Sequence, residues 1–293
     1  MTFPQAIRSF VGYLEGTQKS HHTIKSYYLD LMAFHNFIDQ EYAGRLVLPF
    51  ELSTGDLTRY RQFLQKKGLK TNTRRRKILT VSQFLGFLSK RNKLPPELGQ
   101  KILAPHKIER IPFTVSSLEL LERIKKLPLL TLLDARNRAL LWTLAETGCQ
   151  VSEVIDFRFE QWTKLSESTA QVEILGKSPR MMTVSLALFQ EVMSLQKTHP
   201  QSPWIFLGYN KYGSLGGPIS ARGVELLVKS YGIRLGYPEL TPRVFRHSII
   251  IQWFSEGLPQ KEVQARLGLR TTYAFRSYET LIVKRPSADQ VLG

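Results

Sequence analysis

Apolar residues recur every three or four positions from the start of the chain. Ile7, Phe10, Val11 and Leu14 make one stripe, and Ile24, Tyr27, Tyr28, Leu31, Phe34, Phe37 and Ile38 make a second. That is the helical period, so residues 4–40 read as helical, with a fresh start at Ser20-His-His-Thr23. Ser53-Thr-Gly-Asp-Leu supplies capping chemistry for a third helix that runs to Lys67 and ends at Gly68. A fourth covers about 72–91, with Leu79, Phe84, Phe87 and Leu88 on its apolar side. Pro95, Pro96, Pro105 and Pro112 then break the period and predict an extended linker over 93–113.

The pattern resumes after Thr114, where Ser116 or Ser117 can cap a new helix. Ala139 to Leu144 is apolar enough for a buried helix, and Val151 to Phe157 starts another. Ala170 to Leu175 alternates with period two, Gly176-Lys-Ser-Pro179 turns, and Arg180 to Ser185 returns, which predicts a β-hairpin. Helices are expected over about 186–197, 220–235, 242–256, 259–267 and 271–280. The expected fold class is mainly α with a small β-sheet. A helical N-terminal domain spans 1–92, a linker 93–113, and a mixed α/β domain 114–293.

Charge changes this picture. Lys plus Arg number 41 against 24 Asp plus Glu, a formal net charge of +17. Such an excess calls for a polyanionic partner, and a nucleic acid fits it. The run Arg74-Arg-Arg-Lys77 and Lys25 lie near helix starts, where backbone N–H groups also favour phosphate. They are the candidate DNA-binding residues. A single cysteine, Cys149, excludes an internal disulfide framework and a cysteine-based zinc site, and fits a reducing cytoplasm. The N-terminus shows no secretory pattern, and no apolar run approaches the roughly 18 residues of a spanning helix, so no membrane is expected.

Chemistry concentrates in the second half. Thr241-Pro-Arg243-Val-Phe-Arg246-His247 is followed about thirty residues on by Ser277-Tyr278. Guanidinium forks can grip a phosphate's non-bridging oxygens, and a positioned phenol can attack its phosphorus. The segment resembles the Thr-Pro-His-x-Leu-Arg-His motif of the tyrosine recombinase or phage integrase family, Xer-like members included. Thr147, Gly148, Ser152 and Glu153 match that family's Thr-Gly-Leu-Arg-x-Ser-Glu segment, and Gly176-Lys177 to Leu186 resembles its lysine-bearing hairpin. Ser20, Thr23, Tyr27, Asp30, Leu31, Phe34 and Phe37 look like its core-binding domain. The resemblance spans residues 4–282.

The resemblance implies a site-specific recombinase with two domains on opposite sides of a duplex. Tyr278 would attack the scissile phosphate, giving a 3′-phosphotyrosyl link and a free 5′ hydroxyl. Arg246 would hold the phosphate and Lys177 would protonate the leaving oxygen. Three further family positions hold other residues here. Gln150 replaces the first arginine, Arg243 the general-base histidine and Leu269 the phosphate-binding histidine or tryptophan. His247 matches a family histidine that is usually structural. Gln offers neutral donors without a fork, and Arg does not give up its proton to act as a base. The expectation is a DNA-binding protein of this family with impaired cleavage. The alternatives are a fully active recombinase with an atypical site and a non-catalytic basic accessory protein.

No metal or nucleotide is implied, because the covalent link preserves the bond energy for rejoining. Double-stranded DNA is the expected partner, with self-association on it or a second recombinase, in a nucleoid-associated cytoplasmic setting. Leu281, Ile282, Val283, Val291 and Leu292 read as an apolar tail that docks on a neighbouring protomer.

Overall fold

The computed structural model describes residues 1–278 except 18, 92–93, 95–97, 99–102, 109–110 and 211–212. The Pro95-Pro96 break and the apolar tail beyond Tyr278 lie outside the described residues. The chain divides into two compact units, Met1–Glu109 and Arg110–Gly293.

Among the described residues of the first unit, the long helices are α1 (Phe3–Glu15), α2 (His21–Glu41), α3 (Thr54–Lys66) and α4 (Thr71–Ser89). Each of the first three starts at a side-chain cap. Thr2 and Gln5 reciprocate, Ser20 accepts from the Thr23 N–H, and Ser53 pairs with Asp56. The stripes meet in a core around Phe10, Phe34, Tyr60 and Phe84, whose rings contact edge-on. Leu79 departs from expectation and is exposed. Ile78, Val81, Phe84, Leu85 and Leu88 form the buried stripe of α4, and Thr80 joins them with its hydroxyl donated to the Arg76 carbonyl. A hydroxyl satisfied by its own helix can enter an apolar face; the expected Phe84, Phe87 and Leu88 are buried, and only Leu79 gives its place to Ile78.

The second unit holds α5 (Ser117–Lys125), α6 (Leu132–Thr147), α7 (Val151–Val154), α8 (Leu186–Ser194), α9 (Ala221–Arg234), α10 (Pro242–Ser255) and α11 (Gln260–Arg266). Ser116 is the cap of α5. Helix α6 is buried on nearly every side, with Leu140, Leu141 and Leu144 in one core with Phe245, Ile250 and Ile251 of α10. Its two buried threonines donate to carbonyls one turn back, Thr143 to Ala139 at 2.8 Å and Thr147 to Thr143 at 2.6 Å.

The expected hairpin is present as β2 (Thr169–Ile174) and β3 (Arg180–Ser185), paired Ala170 to Val184 and Val172 to Met182. A short β1 (Trp162–Lys164) extends it to an antiparallel sheet in the order β1-β2-β3. A second hairpin, β4 (Leu207–Asn210) and β5 (Gly213–Pro218), stands apart and corrects the expectation of a single β segment. Strand β5 reads Gly-Ser-Leu-Gly-Gly-Pro and carries no alternation, so nothing in its letters marks a strand. The helix expected over Val151–Phe157 stops at Val154, and the described part of the helix expected over 271–280 forms a 3-10 turn, Thr272–Tyr278.

Candidate active site

Glycine 148 sets the geometry of the site. It terminates α6 in the left-handed region, at φ 58°, and a Cβ there would lie 2.7 Å from Ile249 Cγ2 and 3.7 Å from Arg246 Cα. Only glycine lets the 147–150 turn press this closely onto α10. The Thr147 hydroxyl accepts the Cys149 N–H at 3.2 Å, and a Glu153 carboxylate oxygen accepts the Gln150 N–H at 2.7 Å. The matching Thr, Gly and Glu letters therefore build the turn that presents position 150.

Arg246 comes from the facing helix. It donates to the Gly148 carbonyl at 2.7 Å and to the Leu267 carbonyl at 2.8 Å. Those contacts engage two of its roughly five N–H donors and fix the plane of the guanidinium, with donors left for a ligand. Burial lowers its pKa, and Arg180 adds to the effect while Glu153 opposes it.

Around Arg246 opens a cavity of about 380 Å³. Gln150, Arg243, Arg246, His247, Leu269 and Tyr278 all line it, beside the buried Cys149. Five of the sequence-predicted site positions thus converge from four separate segments. Lys177 does not line this cavity; it sits exposed on the turn between β2 and β3.

Tyr278 is only 4% exposed, and its hydroxyl is hydrogen-bonded to His247 Nδ1. Burial pushes the phenol up to about 12, against the lowering influence of Arg246 and Arg243. Burial and then the same two arginines push His247 down to about 4. Burial likewise raises the Cys149 thiol to about 12. At neutral pH the site holds a neutral phenol, a neutral imidazole, a protonated thiol and two guanidinium cations.

Sequence reasoning missed two contributors. Arg180, on β3, grips both Glu153 oxygens and donates to the Arg266 carbonyl at 2.7 Å. It thereby ties the hairpin, the 150 turn and α11 into one support. Gly268, at φ 61°, permits the approach, since a Cβ there would lie 2.9 Å from Arg180 Nη1. An arginine amid the alternation of β3 was the available signal. His247, assigned to packing, contacts the candidate nucleophile itself.

The cationic run of the first unit is tied into its own fold. Arg76 and Lys77 pair with buried Asp30, Lys77 at 2.9 Å, and Arg76 also donates to the Ser26 hydroxyl at 2.7 Å. Arg75 donates to the Pro105 carbonyl at 2.6 Å and Arg74 to the Thr71 hydroxyl at 3.2 Å. Asn72 clamps the Ile108 backbone with two hydrogen bonds of 3.0 Å. Lys25 is exposed, and Arg76 keeps 44% side-chain exposure. Among the described residues no group of three or more His, Cys, Asp or Glu is placed to hold a metal ion, and no helix is long and apolar enough to cross a membrane.

The phage integrase family model matches residues 117–281, more than half of the chain. The chain belongs to the phage integrase family. A separate model, for the phage integrase N-terminal SAM-like domain, matches residues 7–92. Among curated relatives, the tyrosine recombinase XerC of Herpetosiphon aurantiacus is 26% identical over 277 residues, covering 90% of this chain and 86% of that protein. The XerC of Staphylococcus carnosus is 27% identical over 252 residues, covering 85% and 83%. Among solved structures, the XerH site-specific recombinase bound to its difH substrate in a pre-cleavage complex has a TM-score of 0.69 at 17% identity, covering 92% of this chain and 77% of that one. Lambda integrase residues 75–356 bound to DNA has a TM-score of 0.65 at 13% identity, covering 95% and 96%. The two-unit, mainly helical fold of this phage integrase family member is the one these recombinases share.

Proposed function

We propose that this chain binds duplex DNA and acts as a site-specific tyrosine recombinase whose cleavage step is weakened. The observation that carries the reading is the convergence of Tyr278, Arg246 and Arg243 on one cavity. A phosphodiester placed there would meet two cations, one of them held by backbone carbonyls, beside the Tyr278 phenol. Tyr278 attack on phosphorus would give a 3′-phosphotyrosyl link and release a 5′ hydroxyl, with Lys177 as the proton donor if the 176–179 turn approaches bound DNA. Preorganised charge at the developing negative oxygens is the main catalytic term such a site can supply. Gln150 and Leu269 each remove a contact of that kind, and Arg243 supplies a cation where the family holds a base.

The +17 charge supports the polyanionic partner, and relatives named as recombinases support strand exchange as the outcome. Self-association on DNA or pairing with a second recombinase, in a nucleoid-associated cytoplasmic setting, belongs to the same proposal. A second reading, a DNA-binding accessory that does not cut, draws on Gln150, Leu269 and the covered phenol of Tyr278. A nicked duplex carrying the sequence this protein selects from a random pool separates the two. A slow covalent protein–DNA adduct, absent from Tyr278→Phe, is the expected result. Selective binding with no adduct from any variant supports the accessory, and no selective binding overturns both.

A further inference from the structure

The cavity lacks the family's base at position 243, yet a phenol that attacks phosphorus must lose its proton. Among the residues lining the cavity, the arginines are permanently protonated, and Gln150 and Leu269 have no site for a proton. The Cys149 thiol is buried and stays protonated, with burial raising it to about 12. His247 is the remaining candidate, and its Nδ1 is hydrogen-bonded to the Tyr278 hydroxyl. The two rings lie 5.5 Å apart between centroids at an interplanar angle of 53°. Phe275 flanks Tyr278, and Ser248, next to His247 on α10, accepts the Val115 N–H at 3.0 Å.

We propose that His247 is the catalytic general base of this site, accepting the Tyr278 proton in place of the histidine that position 243 does not have. The inference rests on the strand-cleaving reading above. In the step, the Tyr278 O–H bond breaks and its proton moves to His247 Nδ1 as the phenolic oxygen forms a bond to phosphorus. The phosphorus–O5′ bond breaks with its electron pair passing to O5′, which takes a proton from a general acid, the role the resemblance gives Lys177. His247 leaves the step as imidazolium and returns the proton to Tyr278 when the strand is rejoined.

Charge explains why this base rests in the free protein and works on DNA. The charged groups facing His247 are Arg243 and Arg246 from its own helix, and Tyr278 faces it from the 272–278 turn. The two guanidinium groups hold the imidazole neutral and, after burial, depress its proton affinity. A phosphodiester anion between them offsets that field, so its arrival makes His247 a stronger base at the moment the nucleophile is needed. Transfer concerted with attack avoids a free phenolate, which burial disfavours.

Adduct formation on the selected nicked duplex tests this, with Gln150→Arg as parent and bound DNA monitored by gel retardation. His247→Gln keeps an amide that can accept the phenol's hydrogen bond but cannot take its proton. It is expected to slow adduct formation about 100-fold at neutral pH. It should also abolish the rise in rate with pH that the parent shows until His247 is deprotonated in the complex. Added imidazole should restore adduct formation by His247→Ala on bound DNA, and this arm decides if His247→Gln binds poorly. A His247→Gln rate within about threefold of the parent with the same pH profile, or no recovery by imidazole, overturns the proposal while leaving strand cleavage standing. No adduct from the parent itself overturns the cleaving reading, and this inference with it.

Discussion

Arg180 holds both carboxylate oxygens of Glu153, at 2.7 and 3.1 Å, and the two side chains are 7% and 14% exposed. The pair joins strand β3 to the turn that carries Gln150, and Glu153 also accepts the Gln150 N–H. Removing one partner of a buried pair strands the other charge, which costs about 3–5 kcal/mol. Because Arg180 keeps the Arg266 carbonyl, the lower end applies. Glu153→Ala is expected to lose about 3 kcal/mol of stability, read as a lower urea midpoint with Trp fluorescence. A midpoint unchanged from wild type would mean the pair is not a fastener.

Asp30 has the same role in the first unit, where Arg76, Lys77 and Thr80 all turn to it. Asp30→Ala should destabilise that unit by about 3 kcal/mol, seen as faster amide exchange in α2 and α4. Lys25 is exposed and free of that network, so it separates binding from folding. Lys25→Ala should reduce the slope of log affinity against log salt by about one on a random duplex, with stability unchanged. An unaltered slope would remove Lys25 from the DNA contacts.

Asp56 predicts a pH response. Burial alone would raise its carboxyl, but hydrogen bonds from Ser53 and Tyr42 and the nearby Arg59 outweigh that and hold it below the usual range. A carboxyl depressed in the folded state contributes stability above its unfolded value, about 3.9, and that contribution disappears as pH falls through the folded value. Stability of the first unit should therefore drop on acidification below about pH 4, and Asp56→Asn should flatten that drop. Amide exchange in α3 as a function of pH reads it; the same slope in the variant would assign the drop to other carboxyls.

Gln150 is exposed and lines the cavity together with Arg246. An arginine there would bring a bidentate cation to the phosphate, worth a few kcal/mol in the transition state or about 100-fold in adduct rate. Gln150→Arg is expected to raise adduct formation on the nicked duplex by that order. Leu269→His should add to it less than additively, because both groups act on one phosphate. No gain from either change would place the bottleneck elsewhere in the site.

Local chemistry was legible directly. The caps at Ser20, Ser53 and Ser116 and the alternation of 170–174 are short-range instructions, each satisfied within a few residues of itself. Motif order also grouped Gln150, Arg243, Arg246, Leu269 and Tyr278, which all line the cavity, with Lys177, which does not. What those side chains do was decided only by tertiary contacts. Asp30 and Lys77 are 47 residues apart, and His247 and Tyr278 are 31 apart. Neither pairing has a periodic signal, so a cationic run looked like a free surface and the histidine bonded to Tyr278 looked like packing. The strand β5, with glycine at three of six positions, exists only because β4 lies beside it. Periodicity and capping are properties of one segment and can be read from it. A hydrogen bond between distant segments depends on how their helices pack, and packing is a property of the whole core.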